Sequence, residues 1–326
     1  MNSFAIHNSP GRIAIADGKE FLFFSGYSYL GMQHVPEFIA LVKEGMEKYG
    51  WLFPSSRISN TQLELFSACE TLLSAITGME DTVLVSSGFL AGQLATEKWK
   101  HELINLSPSH PAIQRTGEEK IITDKKVYAC DSVDVLHAAV TDFSFISSTE
   151  ENIYIVDDSH GIGLLGENGE GISSRISAND LKNCVLTYSL SKAFHINGGA
   201  VSCTKSLADE LRQTAVYTAS TAPSPALLYA WLHGQNLYAL QREKLKKNIA
   251  LFRMLTRNLP LLSHEELPVF ILQKKADENV LKDGGVIISS FAYPNPESEK
   301  IQRVVVNSLH TKEDLNYLTG CLEKIF

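Results

Sequence analysis

The sequence predicts an α/β fold built on a mostly parallel sheet, and three stretches predict it. Ile153-Tyr154-Ile155-Val156 is a β-branched and aromatic run that ends in Asp157-Asp158-Ser159-His160-Gly161. An apolar strand that delivers polar groups at one end is typical of a strand buried on both faces, with a ligand-binding edge at its carboxyl end. Residues 82–85 repeat the pattern, running into Ser86-Ser87-Gly88-Phe89 and a helical stretch. Residues 185–188 repeat it again, breaking into Ser189-Leu190-Ser191-Lys192 ahead of Gly198-Gly199 and a further small apolar run.

Lys192 thus lies between two strand-like runs, beside hydroxyls and before a glycine pair. Most lysines are surface charges, and burying an ammonium is costly unless it has a task. With a carboxylate and an imidazole at a second strand end, the set suits pyridoxal 5'-phosphate. A lysine amine forms a Schiff base with the cofactor aldehyde, and a carboxylate keeps the pyridine nitrogen protonated so that the ring draws electrons. Lys192 is the expected Schiff-base lysine. Asp157 and His160 are the expected groups for the ring nitrogen and the ring-hydroxyl side. The amides where residues 82–85 pass into a helix can hold a phosphate dianion, unless the segment is an ordinary strand-to-helix turn.

The residues also resemble a family. DDSHGIGLLGENGEG is similar to the DDAHGxGxxGxxGxG signature of the α-oxoamine synthases, which are 8-amino-7-oxononanoate synthase-like enzymes of the class I/II aminotransferase superfamily. SLSKAFHINGGAVSC resembles their TxSKxxGxxGG lysine segment, and the likeness runs from Gly11 to about Ile325. It implies the fold-type I architecture of pyridoxal-phosphate transferases. That architecture has a large domain with a mostly parallel, seven-stranded-type sheet and a small α/β carboxyl-terminal domain. Residues 1–45 would be an amino-terminal segment packing with the small domain, residues 46–235 the large domain and residues 236–326 the small one.

The resemblance also implies roles. Ser87, Gly88 and Phe89 match the SSGFxAN phosphate loop, with Ser189 a further ligand. Tyr128 takes the histidine position of a D-x-x-x-H segment, where an aromatic ring stacks on the pyridine; a core aromatic is the other reading. Ser220, with Thr221 close behind, matches YSTSxPP, whose hydroxyl reaches the neighbouring subunit's phosphate. The implied assembly is a homodimer with shared active sites. Arg303 matches the arginine that binds the substrate α-carboxylate, a task suited to a bidentate guanidinium. Tyr27 stands where the family has asparagine, in a segment facing the substrate. Arg57 lies in a GGSRxxxG-like loop, as a substrate-side group or an ion-paired arginine.

The implied reaction is at the α-carbon of an amino acid, by condensation with an acyl-CoA or acyl-carrier thioester. A class I/II aminotransferase and a cofactor-binding homologue without turnover are the alternatives. A nicotinamide enzyme is disfavoured: Gly161-Ile162-Gly163-Leu164-Leu165-Gly166 reads as GxGxxG, but Glu167-Asn168-Gly169-Glu170-Gly171 continues it as loop rather than helix.

The 326 residues carry 44% hydrophobic and 20% charged residues and a net charge of -8, with no basic cluster, which argues against a nucleic-acid partner. The 5 cysteines form no CxxC pair and read as reduced thiols of a cytoplasmic protein. No span is apolar enough for a membrane helix, and His101 and His110 lack metal-ligand spacing, so neither a membrane nor a metal is expected.

The remaining elements follow from periodicity and punctuation. A hairpin is expected at 11–24 around Asp17-Gly18, with helices at 36–49, 61–77 (stopped by Gly78) and 206–215. A long helical region is expected at 226–258. Residues 98–120 read as a surface excursion and 120–128 as a strand. Between Tyr128 and Asp157 only a helix at 131–139 and a strand at 142–146 are expected, where the family carries a longer insertion. Strands at 268–272, 285–288 and 303–306 precede a last helix starting at Thr311.

Overall fold

The computed structural model describes residues 4–115, 126–147, 151–293 and 297–326. The chain opens with strands β1 (Ile13–Ala16) and β2 (Lys19–Phe24), then helices α1 (Pro36–Tyr49) and α2 (Glu64–Thr77). Next come β3 (Asp81–Val85), α3 (Gly88–Thr96), β4 (Leu103–Asn105) and β5 (Val127–Asp131). The short strands β6 (Val133–Asp134) and β7 (Ala139–Val140) lead to β8 (Ile153–Asp157), β9 (Cys184–Ser189) and β10 (Gly199–Cys203). Helices α4 (Lys205–Leu211), α5 (Ala215–Thr218), α6 (Pro225–His233) and α7 (Gln235–Leu255) follow. The chain ends with β11 (Leu261–Ser263), β12 (Val269–Leu272), α8 (Glu278–Asp283), β13 (Val286–Ala292), β14 (Lys300–Val305) and α9 (Lys312–Glu323). It divides into two compact units, one of residues 1–35, 134–139 and 238–326, the other of residues 36–133 and 140–237. The division falls ahead of α1, so that helix lies wholly in the second unit rather than being cut near residue 45.

The second unit is built on a sheet of order β3-β10-β9-β8-β5-β4. Strands β4, β5, β8 and β9 pair in parallel, and β10 runs antiparallel to both neighbours. The apolar runs are buried as expected of strands covered on both faces: Val83, Val85, Ile155, Val185 and Val201 share one core with Leu94 of α3. This sheet has six strands among the described residues, where the resemblance implied a seven-stranded type.

Residues 131–139 form no helix: the Asp134 carboxylate accepts from the amides of Leu136 (2.9 Å) and His137 (3.1 Å), a turn that competes with helical bonding. Asp142 takes the Ser144 amide at 2.9 Å in the same way, and no strand forms at 142–146. Residues 98–115, the described part of the 98–120 stretch, are also not a surface excursion. They supply edge strand β4 and bury Leu103, Ala112 and Ile113, a contribution too short to show in periodicity. The strand expected at 120–128 lies mostly outside the described residues, and β5 continues past it to Asp131.

In the first unit the amino-terminal hairpin joins the carboxyl-terminal strands in a sheet of order β1-β2-β13-β14-β12-β11. Asp17 and Gly18 both take positive φ (51° and 71°), as a tight two-residue hairpin turn requires. Arg12 forks onto Asp314 of α9, with Nη2 to Oδ1 at 2.7 Å. Thr311 and Asp314 cap that helix reciprocally.

His310 is one group in this unit that ties stability to pH. Its ring stacks on Phe24 (centroids 4.0 Å apart), its Nδ1 accepts the Asn307 amide at 3.0 Å, and its Nε2 reaches the Phe23 carbonyl at 3.0 Å. Those two bonds need a neutral imidazole, and burial lowers the pKa from 6.5 to about 4. Between these values the unfolded chain holds the extra proton, so stability falls as pH drops from about 6.5 to about 4, by up to about 3 kcal/mol. Urea unfolding across that window should show the loss in the wild type and a flatter slope in His310→Gln.

Candidate active site

The second unit gathers three strand ends. Across the sheet, Gly199 of β10 is level with Ser189 of β9 on one side and Val85 of β3 on the other. The backbones approach so closely that a Cβ on Gly88 would collide with Ser189, and one on Gly199 with the Ser87 carbonyl. Glycine at 88 and 199 is therefore a packing requirement. Ser87 caps α3, its hydroxyl accepting from the Leu90 amide at 3.2 Å. The first-turn amides of Gly88 and Phe89 have no acceptor within the helix. The Ser189 hydroxyl, adjacent to Gly88, bonds that of Ser191 at 2.8 Å. Two hydroxyls, two helix-start amides and a helix dipole make a donor set for a phosphate dianion.

Lys192 sits in the turn after β9, and the turn is held on both sides. Leu190 donates to the Gly198 carbonyl and Ile196 to the Leu190 carbonyl, both at 3.0 Å, while Leu190, Ala193, Phe194 and Ile196 are buried. That leaves Lys192 half-buried. His195, in the place of the family glycine, adopts a positive φ of 56°.

Asp157 ends β8, mostly buried, with its Oδ1 accepting the Ser159 amide at 2.9 Å. Its Oδ2 lies 3.9 Å from Nδ1 of His110, which sequence reasoning missed. The chain leaving β4 is zipped along the end of β5: Leu106 donates to Ala129, Asp131 to Pro108, and the His110 amide to the Asp131 carboxylate at 2.8 Å. The His110 ring also meets Phe89 edge-on at 6.5 Å. Burial lowers its pKa, Asp157 opposes the shift, and the positive charge of Lys192 adds to it. The neutral form of His110 is thus favoured, and the ring is within the electrostatic reach of both Asp157 and Lys192. The signal in the sequence is the His110-Pro111 segment after a short strand.

The glycine-rich segment after Asp157 is a loop. Gly163, Gly166, Gly169 and Gly171 all have φ between 75° and 84°, and they lead only into a short 3-10 helix at Gly171–Arg175, not into an α-helix, which removes the structural basis of the dinucleotide reading. Its anchor is Asp158, with no exposed surface, whose carboxylate accepts the Ser132 hydroxyl at 2.5 Å and the Ile172 amide at 2.9 Å. A Cβ on Gly161 or Gly171 would run into that carboxylate, and one on Gly163 into Ala193 and Phe194. The two motifs therefore pack directly on each other. His160 lies half-buried three residues past Asp157.

Other expected residues fall elsewhere. Tyr128 pairs with Tyr154 in the sheet and stacks on it (5.5 Å, 12°). Asp157 is three residues further along, about 10 Å up the strand. Tyr128 is half-buried against Tyr154, and the ring beside Asp157 is that of His110. Arg57 is turned inward: Nη2 reaches Glu70 at 3.2 Å and the Tyr217 hydroxyl at 2.8 Å, with the Phe66 ring 4.7 Å away. It is the ion-paired arginine of its two readings, not a substrate group. The Ser220 hydroxyl donates to the Tyr217 carbonyl at 3.1 Å, and Thr221 is exposed. Tyr27 and Arg303 belong to the first unit and bond each other.

This arrangement of sheet, cradle and strand-end lysine defines the fold of pyridoxal-phosphate transferases of fold type I. Residues 146–322 match the family model of aminotransferase class I and II, and the chain belongs to that family, whose cofactor is pyridoxal 5'-phosphate. It is 24% identical to 8-amino-7-oxononanoate synthase of Buchnera aphidicola subsp. Baizongia pistaciae over 99% of this chain and 93% of that one. The same enzyme from Pectobacterium atrosepticum is 27% identical over 96% and 90%. Serine palmitoyltransferase from S. paucimobilis superimposes with a TM-score of 0.86 at 18% identity, covering 99% of this chain and 92% of that one. 8-Amino-7-oxononanoate synthase from Francisella tularensis gives 0.75 at 24% over 93% and 97%. No helix among the described residues is long and apolar enough to cross a membrane.

The residues present fit the cofactor: the Gly88–Ser189 and Gly199–Ser87 approaches form the cradle, and Asp157 is the buried carboxylate. His110→Ala should weaken pyridoxal phosphate binding by about tenfold, the scale of one lost ring contact. Tyr128→Phe should leave it unchanged. Spectrophotometric titration of the two variants checks both.

Proposed function

We propose that this chain acts at the α-carbon of an amino acid and condenses it with an acyl thioester, as an 8-amino-7-oxononanoate synthase-like transferase. The observation that carries the reading is the direct packing of the glycine loop that follows Asp157 on the turn that carries Lys192, with His110 3.9 Å from Asp157 and within electrostatic reach of Lys192. Curated relatives of that activity along nearly the whole chain support it.

When bound, pyridoxal phosphate supplies an electron sink for negative charge at the substrate α-carbon. Ser87, Ser189 and the amides of Gly88 and Phe89 would hold its phosphate. Asp157 would keep a proton on the pyridine nitrogen, and His110, beside Asp157, would contact the ring. His160 would serve the ring-hydroxyl side. Lys192 would carry the cofactor and move a proton at the α-carbon. By the resemblance, Arg303 would take the substrate carboxylate, and Ser220 would reach the phosphate of a second copy in a homodimer. The exposed Trp51, Leu52 and Ile58 give that second copy an apolar surface to cover.

An aminotransferase is the second reading, favoured by the reduced β6–β7 hairpin where acyl-thioester enzymes of the resembled family carry a longer segment. Supplying the loaded protein with amino acids plus either an acyl thioester or a 2-oxo acid separates the two. Release of free thiol supports condensation; a new amino acid formed from the oxo acid overturns it. Lys192→Ala should lose the visible absorption band of the attached cofactor and at least about a thousandfold in turnover. Sedimentation should show a dimer, and Trp51→Glu should shift it toward monomer.

A further inference from the structure

Arg303, on β14, is 1% exposed, yet among the described residues its guanidinium meets no carboxylate. Nη2 donates to the Tyr27 hydroxyl, Nη1 donates to the Val135 carbonyl at 3.4 Å, and Nε is buried with no partner. The ring centroids of Tyr27 and Phe291 lie 5.0 and 4.9 Å from the guanidinium carbon. A buried cation facing neutral acceptors and π-faces is poorly compensated. The contrast within the same unit is Arg12, whose Nε and Nη2 fork onto the two oxygens of Asp314. On Arg303 that same edge is half taken by a phenol and half unused.

Both neutral partners sit where this chain departs from the family it resembles. Tyr27 replaces an asparagine, and Val135 belongs to the short segment that stands in for the longer insertion. We propose that Tyr27 is a displaceable internal ligand of Arg303: its hydroxyl holds Nη2 until a substrate carboxylate takes Nη2 and Nε together. Tyr27 is then a specificity-determining residue. A carboxylate makes two charge-assisted bonds on that edge and repays the loss of the phenol contact, whereas a neutral amide or an ester does not. This rests on the reading of Arg303 as the carboxylate-binding residue.

The test uses the protein loaded with pyridoxal phosphate, titrated at constant ionic strength with 13C-labelled acetate and, as the uncharged control, acetamide, followed by ligand-observed NMR. Tyr27→Phe keeps the ring and removes the hydroxyl. It should bind acetate about tenfold more tightly than the wild type and acetamide no differently, since it removes one competing hydrogen bond to a charged group. In steady state the KM for the amino acid should fall with kcat unchanged. Arg303→Gln, and Arg303→Lys as the charge-keeping variant, should lose most of the acetate response. Equal or weaker acetate binding by Tyr27→Phe, with the Arg303 variants still impaired, overturns the role of Tyr27 and leaves that of Arg303 intact. Undiminished acetate binding by both Arg303 variants overturns the carboxylate reading itself.

Discussion

The site depends on the burial of one carboxylate that does no chemistry. Asp158 has no exposed surface, and burial pushes its pKa up to about 7 against the pull of its two hydrogen bonds. Those bonds tie the end of β8 to Ser132 beyond β5 and to Ile172 at the far end of the glycine loop. With both ends pinned, the loop closes on itself, Gly163 donating to the Gly169 carbonyl and Gly171 to the Leu165 carbonyl. Its apolar residues Ile162, Leu165 and Ile172 are buried. The closed loop then meets the lysine turn at Gly163. The first aspartate of the pair is left at the strand end facing His110, while the second serves as the anchor.

Close approach is the recurring means of construction. Gly88, Gly161, Gly163, Gly171 and Gly199 each stand where a methyl group would strike a neighbour that belongs to the site or its anchor. Interiors are too densely packed to absorb such a collision cheaply. The motif glycines are thus spacing constraints between elements distant in sequence, which explains why the two motifs occur together. His195 is the exception, a side chain held at positive φ where the lysine pattern has glycine, and histidine tolerates that region better than most residues.

The same economy is seen in the charged groups of the second unit. Arg57, Glu70, Arg212 and Asp81 form a chain of ion pairs, with Arg212 forked on Asp81 at 2.8 and 2.9 Å. Glu70 is raised by burial despite these partners and also accepts the Leu84 amide at 3.0 Å. Removing Glu70 would strand the buried guanidinium of Arg57, so the network fixes the α2–β3 junction more than it adds stability.

What the sequence determined by itself was whatever is written in consecutive residues. Strand-end polarity located Asp157, Lys192 and the Ser87–Gly88 turn, periodicity gave α1 to its last residue, and Thr311 with Asp314 marked the start of α9. These are local matters, decided by side-chain alternation, capping and backbone propensity. Tertiary structure decided the rest because the deciding contacts lie far apart in the chain or compete with propensity. His110 was brought to Asp157 by three strand-end bonds to β5, and Tyr128 was moved off the site by a pairing register that puts it level with Tyr154. Residues 131–139 lost their helix to an Asp134 turn that no periodicity reveals. Arg57 became a core ion pair only because Glu70 and Tyr217 converge on it, and among the described residues the side-chain and backbone groups that bond Arg303 are a phenol and a carbonyl rather than an acid.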